Sequence, residues 1–209
     1  MKVKTYPDAI LRQKCEEVKE GEFGEHDFLI EEMSETITYF DALGLAAPQV
    51  GQSVRIIGIN PRHYREDEKG KKRKEPIPPK FMINPKIVDS SSTWIGKEAC
   101  LSFPGVLVDI KRNASITVEY FDADGKAYSE DLFGEEAVIV QHEIDHLDGI
   151  TLINKASQVY RGQIMRKLKV ARRRMKKYAK ANERLEKIGA KLKMIDEKAP
   201  IPAEAPASI

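Results

Sequence analysis

The sequence has no long apolar run. No stretch of its 209 residues approaches the roughly 20 apolar residues that a membrane-spanning helix needs. The first residues, MKVKTYPDAILRQKCEEV, also lack the apolar block of a secretory signal and the acid-poor composition of a transit peptide. We therefore expect a cytoplasmic globular protein without a membrane partner.

Cysteine is also scarce. Cys15 and Cys100 are the only two, a count that does not suggest the disulfide framework of a small secreted scaffold. In a reducing cytoplasm an isolated cysteine is more often buried filler than a reactive group. A chemical role for Cys100 must therefore be indicated by its neighbours.

Charge is distributed unevenly along the chain. Residues 155–198 hold 16 Lys/Arg and 4 Asp/Glu, a net charge of +12, whereas residues 1–154 hold 19 and 28, a net charge of −9. We predict an acidic body over 1–154 and a basic helical arm over 155–198. The Pro/Ala-rich end, APIPAEAPASI at 199–209, is typical of a disordered tail.

Hydrophobic periodicity predicts a mixture of helices and strands. Helices are expected over 26–40, 135–147 and from about 157 onward, and strands over 54–59, 81–88, 106–110, 116–121 and 126–133. GLAAPQVG (44–51) is interpreted as a helix-breaking turn, DADG (122–125) as a hairpin turn, and the charged segment 60–80 as a solvated loop.

The last helix has one thin apolar stripe on an otherwise basic surface. Its members follow one another at steps of four and three residues: Ile164, Leu168, Ala171, Met175, Tyr178, Asn182 and Leu185. This pattern leaves two interpretations open. The stripe packs on the body, or it pairs with a second copy as a coiled coil.

QHEIDHLDG, residues 141–149, contains the HExxH pattern of a helix-borne metal site. Residues four apart lie on one helix face, so His142 and His146 can present two imidazoles to one ion, with Glu143 beside the open position. A bare HExxH also arises by chance in helices whose histidines are merely hydrogen-bonded. A catalytic zinc-type site usually needs a third protein ligand.

The third ligand can be sought by elimination. A metzincin pattern would require a histidine at Leu152, and the downstream carboxylates of Glu183 and Glu186 lie in the basic arm. His26 and His63 stand among charged or irregular residues, as surface histidines do. Cys100, in EACLSFPG between two expected strands, remains.

Three motifs in order resemble the signatures of peptide deformylases: GLAAPQVG (44–51), EACLSFPG (98–105) and QHEIDHLDG (141–149). The beginning, YPDAILRQKCEEV, is also similar to that family's start, and the resemblance extends from about residue 3 to 154. It implies removal of the formyl group from the formylmethionine of new polypeptides, with release of formate. The resemblance also implies an α+β fold, in which antiparallel β-sheets pack around a central HExxH-bearing helix that a long basic C-terminal helix follows.

The resemblance also implies roles for the matched residues. Cys100, His142 and His146 would bind one metal ion, Fe²⁺ in the family, which Zn²⁺, Ni²⁺ or Co²⁺ can replace. Glu143 would be the general acid/base. The side chain of Gln49 and the backbone N–H of Leu101 would bind the formyl oxygen, and Gly44 would align the substrate backbone.

Neighbouring positions suggest supporting roles. Leu43, Val138 and Ile139 flank the matched motifs and are candidates for the slot that takes the methionine side chain. Glu98 is expected to pair with a basic residue, Arg112, and so orient the loop that carries Cys100. Two family glycines are replaced, by Ala42 in the first motif and Ala99 in the second, which raises the question of the backbone angles there.

The basic arm suggests a partner for the enzyme. Nine Lys/Arg lie between residues 166 and 180, a density that suits phosphate neutralisation. Because some bacterial deformylases dock on the ribosome through a basic C-terminal helix, we expect a ribosomal RNA or protein contact and no DNA partner. The candidate contact residues are Arg166, Lys169, Arg172, Arg173, Lys176 and Lys177.

Two alternatives to an active deformylase remain from the sequence. One is a ribosome- or RNA-binding protein on a deformylase scaffold that has lost activity, which the replacements Ala42 and Ala99 keep open. The other is a zinc metalloprotease, which the missing third-ligand pattern disfavours.

Overall fold

The computed structural model describes residues 2–61 and 77–196. Beyond Arg174, side chains are described only for Lys177, Lys180 and Arg184. Most of the charged segment 60–80, His63, and the tail at 199–209 therefore lie outside the described residues, as do the side chains of the stripe from Met175 onward. In the described part of the chain, no helix is long and apolar enough to cross a membrane.

The fold combines helices with antiparallel sheets, which confirms the mixed class expected from the sequence. One sheet has the strand order β1-β2-β3-β6-β7, formed by β1 (Gly44–Ala46), β2 (Ile56–Ile59), β3 (Lys80–Ser91), β6 (Ser115–Phe121) and β7 (Ala127–Phe133). A separate hairpin pairs β4 (Trp94–Glu98) with β5 (Val108–Arg112). The helices are α1 (Asp27–Phe40), α2 (Gly134–Leu147), α3 (Leu152–Lys155) and α4 (Gln158–Asp196).

Two strands differ from the sequence expectation. Residues 44–46, expected to be part of a turn, form β1, because their backbone pairs with β2 from Gly44↔Ile59 to Ala46↔Ile57. Strand β4 gives no alternating hydrophobic signal because Glu98 is its one buried residue. Antiparallel pairing with β5 stabilises this strand, and hydrophobic periodicity within β4 itself does not reveal such a contact.

Strand β2 packs against helices on both faces of the large sheet. Successive side chains of a strand point to opposite faces. Ile57 and Ile59 therefore join a cluster with Val140 and Ile144 of α2, while Ile56 joins one with residues of α1. The continuous apolar run of β2 follows from this burial on both sides, and it holds α2 firmly against the sheet.

A smaller core lies under the hairpin. Phe103 is fully buried, together with Val106 and Leu152, and Ile164 and Leu168 of α4 complete the cluster. The described part of the apolar stripe therefore packs on the body. The loop that follows Cys100 rests on this packing, so the first turns of α4 support the candidate site.

Gly149 follows the end of α2, where the N-terminal segment crosses. Its φ is +70°, and a Cβ there would lie 2.8 Å from the backbone carbonyl carbon and oxygen of Arg12. The adjacent Cys15 N–H donates to the carbonyl of Leu147 at 2.8 Å. The glycine of QHEIDHLDG thus permits a close approach of two backbones.

We predict that Gly149→Ala lowers the free energy of unfolding by about 2–5 kcal/mol, from the left-handed φ and the backbone overlap together. Urea denaturation with an unchanged m-value measures it. Gly21→Ala is the matched control, since Gly21 has φ +89° but open space around an added Cβ. It should cost about 1–2 kcal/mol. Equal losses in the two variants would contradict a role for the close approach.

Candidate active site

Helix α2 and the turn after β4 bring three potential metal ligands together. The ligand atoms of Cys100, His142 and His146 all lie within 4.8 Å of one another. Cys100 Sγ is 3.2 Å from His146 Nε2, and both histidines are buried on the same helix face. One thiolate and two imidazoles at this spacing can hold one divalent ion and leave a coordination position open.

Glu98 orients the first histidine. Its Oε2 lies 2.7 Å from His142 Nδ1, so that His142 Nε2 is the nitrogen left for a metal. Burial raises the pKa of Glu98, but hydrogen bonds from Arg112 and His142 outweigh it and lower the pKa to about 2. Because Glu98 is ionised, Nδ1 must carry the proton that is donated, which fixes the tautomer a ligand needs.

Arg112 connects the hairpin to α2. Its Nε and Nη2 donate to the two carboxylate oxygens of Glu98 at 2.7 and 2.9 Å. Its Nη1 donates to Asp145 and, at 3.4 Å, to the carbonyl of Gln141. Arg112 and Glu98 are both buried. The pair therefore joins the strand that leads to Cys100 with the helix that carries both histidines.

The two histidines differ in their electrostatic surroundings. Burial lowers the pKa of His146 well below its usual value, with further lowering from the charges of His142 and Arg112. At His142, burial is outweighed by hydrogen bonds with Cys100 and Glu98, which raise the pKa well above its usual value. The anionic groups that favour a proton on His142 would also favour a metal cation at the same place.

Glu143 is a buried carboxyl beside these ligands. Its Oε2 is buried and has no hydrogen-bond partner among the described residues. Burial raises its pKa to about 7, although the charges of His142 and Arg112 act in the opposite direction. A carboxyl with a pKa near neutrality can both accept and return a proton.

Gly44 leaves the room that Glu143 occupies. A Cβ on Gly44 would lie 2.8 Å from Glu143 Oε1, 2.9 Å from Glu143 Cγ and 3.0 Å from Ile139 Cγ2. A glycine is thus required here for the position of the carboxylate as well as for any approach of substrate.

Gln49 points its amide nitrogen at the ligands. Its Oε1 accepts the N–H of Ala46 at 2.8 Å, which caps the turn that follows β1. Its Nε2 must therefore face the other way, where it lies 3.5 Å from Cys100 Sγ and 3.3 Å from Ser102 Oγ. In the described part of the chain, the N–H of Leu101, the next residue after Cys100, donates to no backbone carbonyl.

A cavity of about 940 Å³ opens over these groups. Among the residues that line it are Cys100, His142, Glu143, Gln49, Gly44, Leu101, Leu43, Val138 and Ile139. Val138 and Ile139 are buried, whereas Leu43 is 40% exposed and lies at the cavity mouth instead of in a closed slot. The volume is within the range of small-ligand and peptide sites.

Trp94 and Leu107 line the same cavity but gave no signal in the sequence. The indole of Trp94 lies over Gly96, where a Cβ would approach the ring to 2.6 Å. Trp94 and Gly96 stand two residues apart on β4, as Gly96 and Glu98 do, so Trp94, Gly96 and Glu98 lie on one face of the strand. Had the sequence predicted β4 as a strand, the two-residue spacing of Trp94 and Gly96 would have indicated that the indole packs over the glycine.

The two alanines that replace family glycines fit the backbone. In the part of the chain that the structure describes, the non-glycine residues with positive φ are Asp41, Asn84 and Ser92, and Ala42 and Ala99 are not among them. Neither alanine therefore occupies an angle reserved for glycine.

The basic residues of the arm lie on α4, outside the 940 Å³ cavity. Arg166, Lys169, Arg172, Arg173 and Lys177 are exposed, and the side chain of Lys176 lies outside the described residues. They form a surface separate from the cluster of Cys100 with the two histidines.

Comparison with known proteins agrees with this geometry. Residues 1–162 match the family model of polypeptide deformylases. Peptide deformylase of Thermodesulfovibrio yellowstonii is 37% identical over 171 residues, which cover 81% of this chain and 96% of that protein. The Brucella suis peptide deformylase is 37% identical over 166 residues, 78% of this chain and 88% of that one.

Solved structures show the same relationship. The crystal structure of peptide deformylase from Ehrlichia chaffeensis has a TM-score of 0.71 and 35% identity, covering 83% of this chain and 97% of that chain. That from Legionella pneumophila has a TM-score of 0.70 and 32% identity, covering 83% and 96%. The chain therefore belongs to the polypeptide deformylase family, and it is a hydrolase that removes the formyl group from formyl-methionyl peptides.

Proposed function

We propose that Cys100, His142 and His146 bind one divalent metal ion and that Glu143 is the general acid/base of deformylation. The observation that carries this proposal is the convergence of one thiol and two imidazoles, within 4.8 Å, beside a buried carboxyl. When bound, the ion would acidify a water molecule and polarise the formyl carbonyl. We propose Fe²⁺, from the family resemblance, with Zn²⁺, Ni²⁺ or Co²⁺ able to replace it.

Glu143 would move the proton. Its unpartnered Oε2 is available to accept a proton from the attacking water, and its pKa of about 7 suits its return to the amine that leaves. The products would be formate and a peptide with a free N-terminal methionine. Burial of the carboxyl keeps bulk water from competing for the proton.

Gln49 and Leu101 would stabilise the charge that develops on the formyl oxygen. Gln49 Nε2 and the N–H of Leu101 flank Cys100. The Leu101 N–H donates to no backbone carbonyl among the described residues, and Gln49 Nε2 would exchange its long contacts with Cys100 Sγ and Ser102 Oγ for the formyl oxygen. One such donor contributes about 3–4 kcal/mol in comparable sites. The tie between Gln49 Oε1 and Ala46 supports this proposal because it fixes the direction of the amide before substrate binds.

The methionine side chain would enter the apolar part of the cavity. Val138 and Ile139 offer buried apolar surface one helical turn before His142. Leu43 would cover the side chain from the mouth, and Gly44 would place the substrate backbone beside Glu143. Glu98 and Arg112 would keep Cys100 and His142 in register.

The first test measures formate release from a formyl-Met peptide by protein purified anaerobically and loaded with Fe²⁺ or Ni²⁺. We expect Glu143→Gln to lower kcat by about 10²–10⁴-fold, because the amide cannot accept and return the proton that the buried carboxyl moves. Its metal content should remain one ion per chain. Glu119→Gln, at an exposed position on β6, is the control and should keep full activity. Wild-type activity in Glu143→Gln, or no formate from fully metallated wild type, would overturn the proposal.

A second test uses the contact between Gly44 and Glu143. Gly44→Ala should lower kcat about 10–100-fold, since the added methyl must displace the carboxylate. Metal content and unfolding midpoint should change little. Gly24→Ala, where an added Cβ meets nothing within 4 Å, is the control. An unchanged kcat in Gly44→Ala would show that the carboxylate position is not limiting.

We also propose that residues 1–154 are the catalytic unit, that 155–198 form a ribosome-binding arm and that the enzyme acts in the cytoplasm on nascent chains. Support comes from the exposed basic residues of α4. Removing the arm after Asn154 would also remove Ile164 and Leu168 from the core around Phe103, so the test should keep the chain intact.

The intact variant Lys169→Gln/Arg172→Gln/Arg173→Gln should co-sediment more weakly with ribosomes at low salt. The slope of log K against log salt should fall by roughly 0.7–0.9 per lost phosphate contact. Lys14→Gln/Lys86→Gln/Lys111→Gln removes three exposed charges from the body and should bind as the unchanged protein does. Equal binding by the two triple variants would refute docking through α4.

A further inference from the structure

A second cavity, of about 530 Å³, lies between the turn at Pro104 and Gly105 and the helix α4. Lys167, Val170 and Arg174 are among the α4 residues that line it. They stand three, four and seven residues apart, so they share one helix face. Of the candidate ribosome contacts, Arg166 also lines this cavity, whereas Lys169, Arg172 and Arg173 do not. The two surfaces of the helix therefore differ but meet at Arg166.

This second cavity adjoins the same turn as the active-site cavity. Pro104 and Gly105 line both of them. At Gly105, φ is +74° and an added Cβ would meet no atom within 4 Å, so the space beside this glycine is open. A polypeptide bound with its first residue at Cys100 and Glu143 can continue over this turn toward α4.

The second cavity combines apolar surface with unopposed positive charge. Val170 is 49% exposed, and the side chains of Lys167 and Arg174 are exposed on either side of it. Residues 158–182 contain ten Lys/Arg and no Asp/Glu. Among the described residues, neither Lys167 nor Arg174 takes part in a salt bridge. Carboxylates are the peptide groups that such a surface binds best.

We propose that the surface formed by Pro104, Gly105, Lys167, Val170 and Arg174 binds the downstream part of the polypeptide substrate and favours acidic side chains there. The inference rests on the proposed function and extends it from the formyl-methionine to the residues that follow. The groove is fixed in place because Ile164 and Leu168, on the neighbouring face of α4, are buried against the hairpin core.

The effect belongs to substrate binding and not to the chemical step. A contact made equally in the ground state and the transition state lowers KM and leaves kcat unchanged. Exposed ion pairs are weak, so two of them should raise kcat/KM about three- to tenfold. The gain should disappear near 0.5 M salt, where the Debye length is only about 4 Å.

The test uses the full-length, metal-loaded protein and nine-residue formyl-Met peptides. A neutral reference peptide has Ser and Ala after the methionine, and in the others a pair of Asp or Lys is moved through positions three to eight. At 50 mM salt, at least one Asp peptide should have the three- to tenfold higher kcat/KM, through KM, and the matching Lys peptide should fall below the reference.

Lys167→Gln/Arg174→Gln should weaken the preference for Asp to less than half, since it removes two of the cations that line the cavity and leaves Arg166. It should keep the kcat of the neutral peptide. Lys180→Gln/Arg184→Gln, which removes the same two charge types from an exposed part of α4 farther along the helix, should retain the preference. Loss of the preference in both double variants would overturn the proposal, because the charge of the helix as a whole would then be responsible.

Two further outcomes would overturn the proposal in distinguishable ways. Equal kcat/KM for all peptides in the wild type contradicts the acidic subsite while leaving deformylation intact. If Lys167→Gln/Arg174→Gln weakens ribosome co-sedimentation but keeps the preference for Asp, the groove binds RNA and not peptide. Absence of formate from every peptide, the neutral one included, contradicts the proposed function itself.

Discussion

The hydrogen bonds of Arg112 are the constraint on which the rest of the site depends. Among the described residues, the hairpin β4–β5 has no strand pairing with the large sheet, so backbone hydrogen bonds alone do not set the distance from Cys100 to the histidines of α2. The guanidinium does so, because it holds Glu98 on one side and Asp145 on the other. Removing one partner of such a buried pair typically costs 3–5 kcal/mol, since the other charge stays buried. Fold stability and ligand geometry are therefore coupled through one side chain.

The environment of Glu143 shows how the fold separates two neighbouring carboxyl groups. Glu98 and Glu143 are both buried, yet hydrogen bonds lower the pKa of Glu98 to about 2 while burial raises that of Glu143 to about 7. The first carboxyl is a permanent anion suited to orienting His142. The second can exchange a proton near neutral pH. Carboxyl groups of identical chemistry thus acquire different uses from their partners alone.

The spacing of His142, Glu143 and His146 could be read from the sequence because helical periodicity is local. EACLSFPG also indicated Cys100. The structure brings Cys100, His142 and Glu143 to one cavity, and His146 Nε2 lies 3.2 Å from Cys100 Sγ. The strand β4 and the packing of the Trp94 indole over Gly96 could not be foreseen, because they depend on pairing with β5, whose partner residues lie 10 to 18 positions later. Gly149 seemed to be a motif glycine, but its requirement comes from the backbone of Arg12, far away in sequence.

The packing of Ile164 and Leu168 around Phe103 has a consequence for the synthesis of this protein. The loop that follows Cys100 is not supported by its full hydrophobic core until the chain has been extended through Leu168. During translation, residues up to about 150 can already form the large sheet and α2, yet the hairpin beside them still lacks part of its packing. The packing around the loop of Cys100 is thus completed only after both histidines have been synthesised, when the chain has reached Leu168.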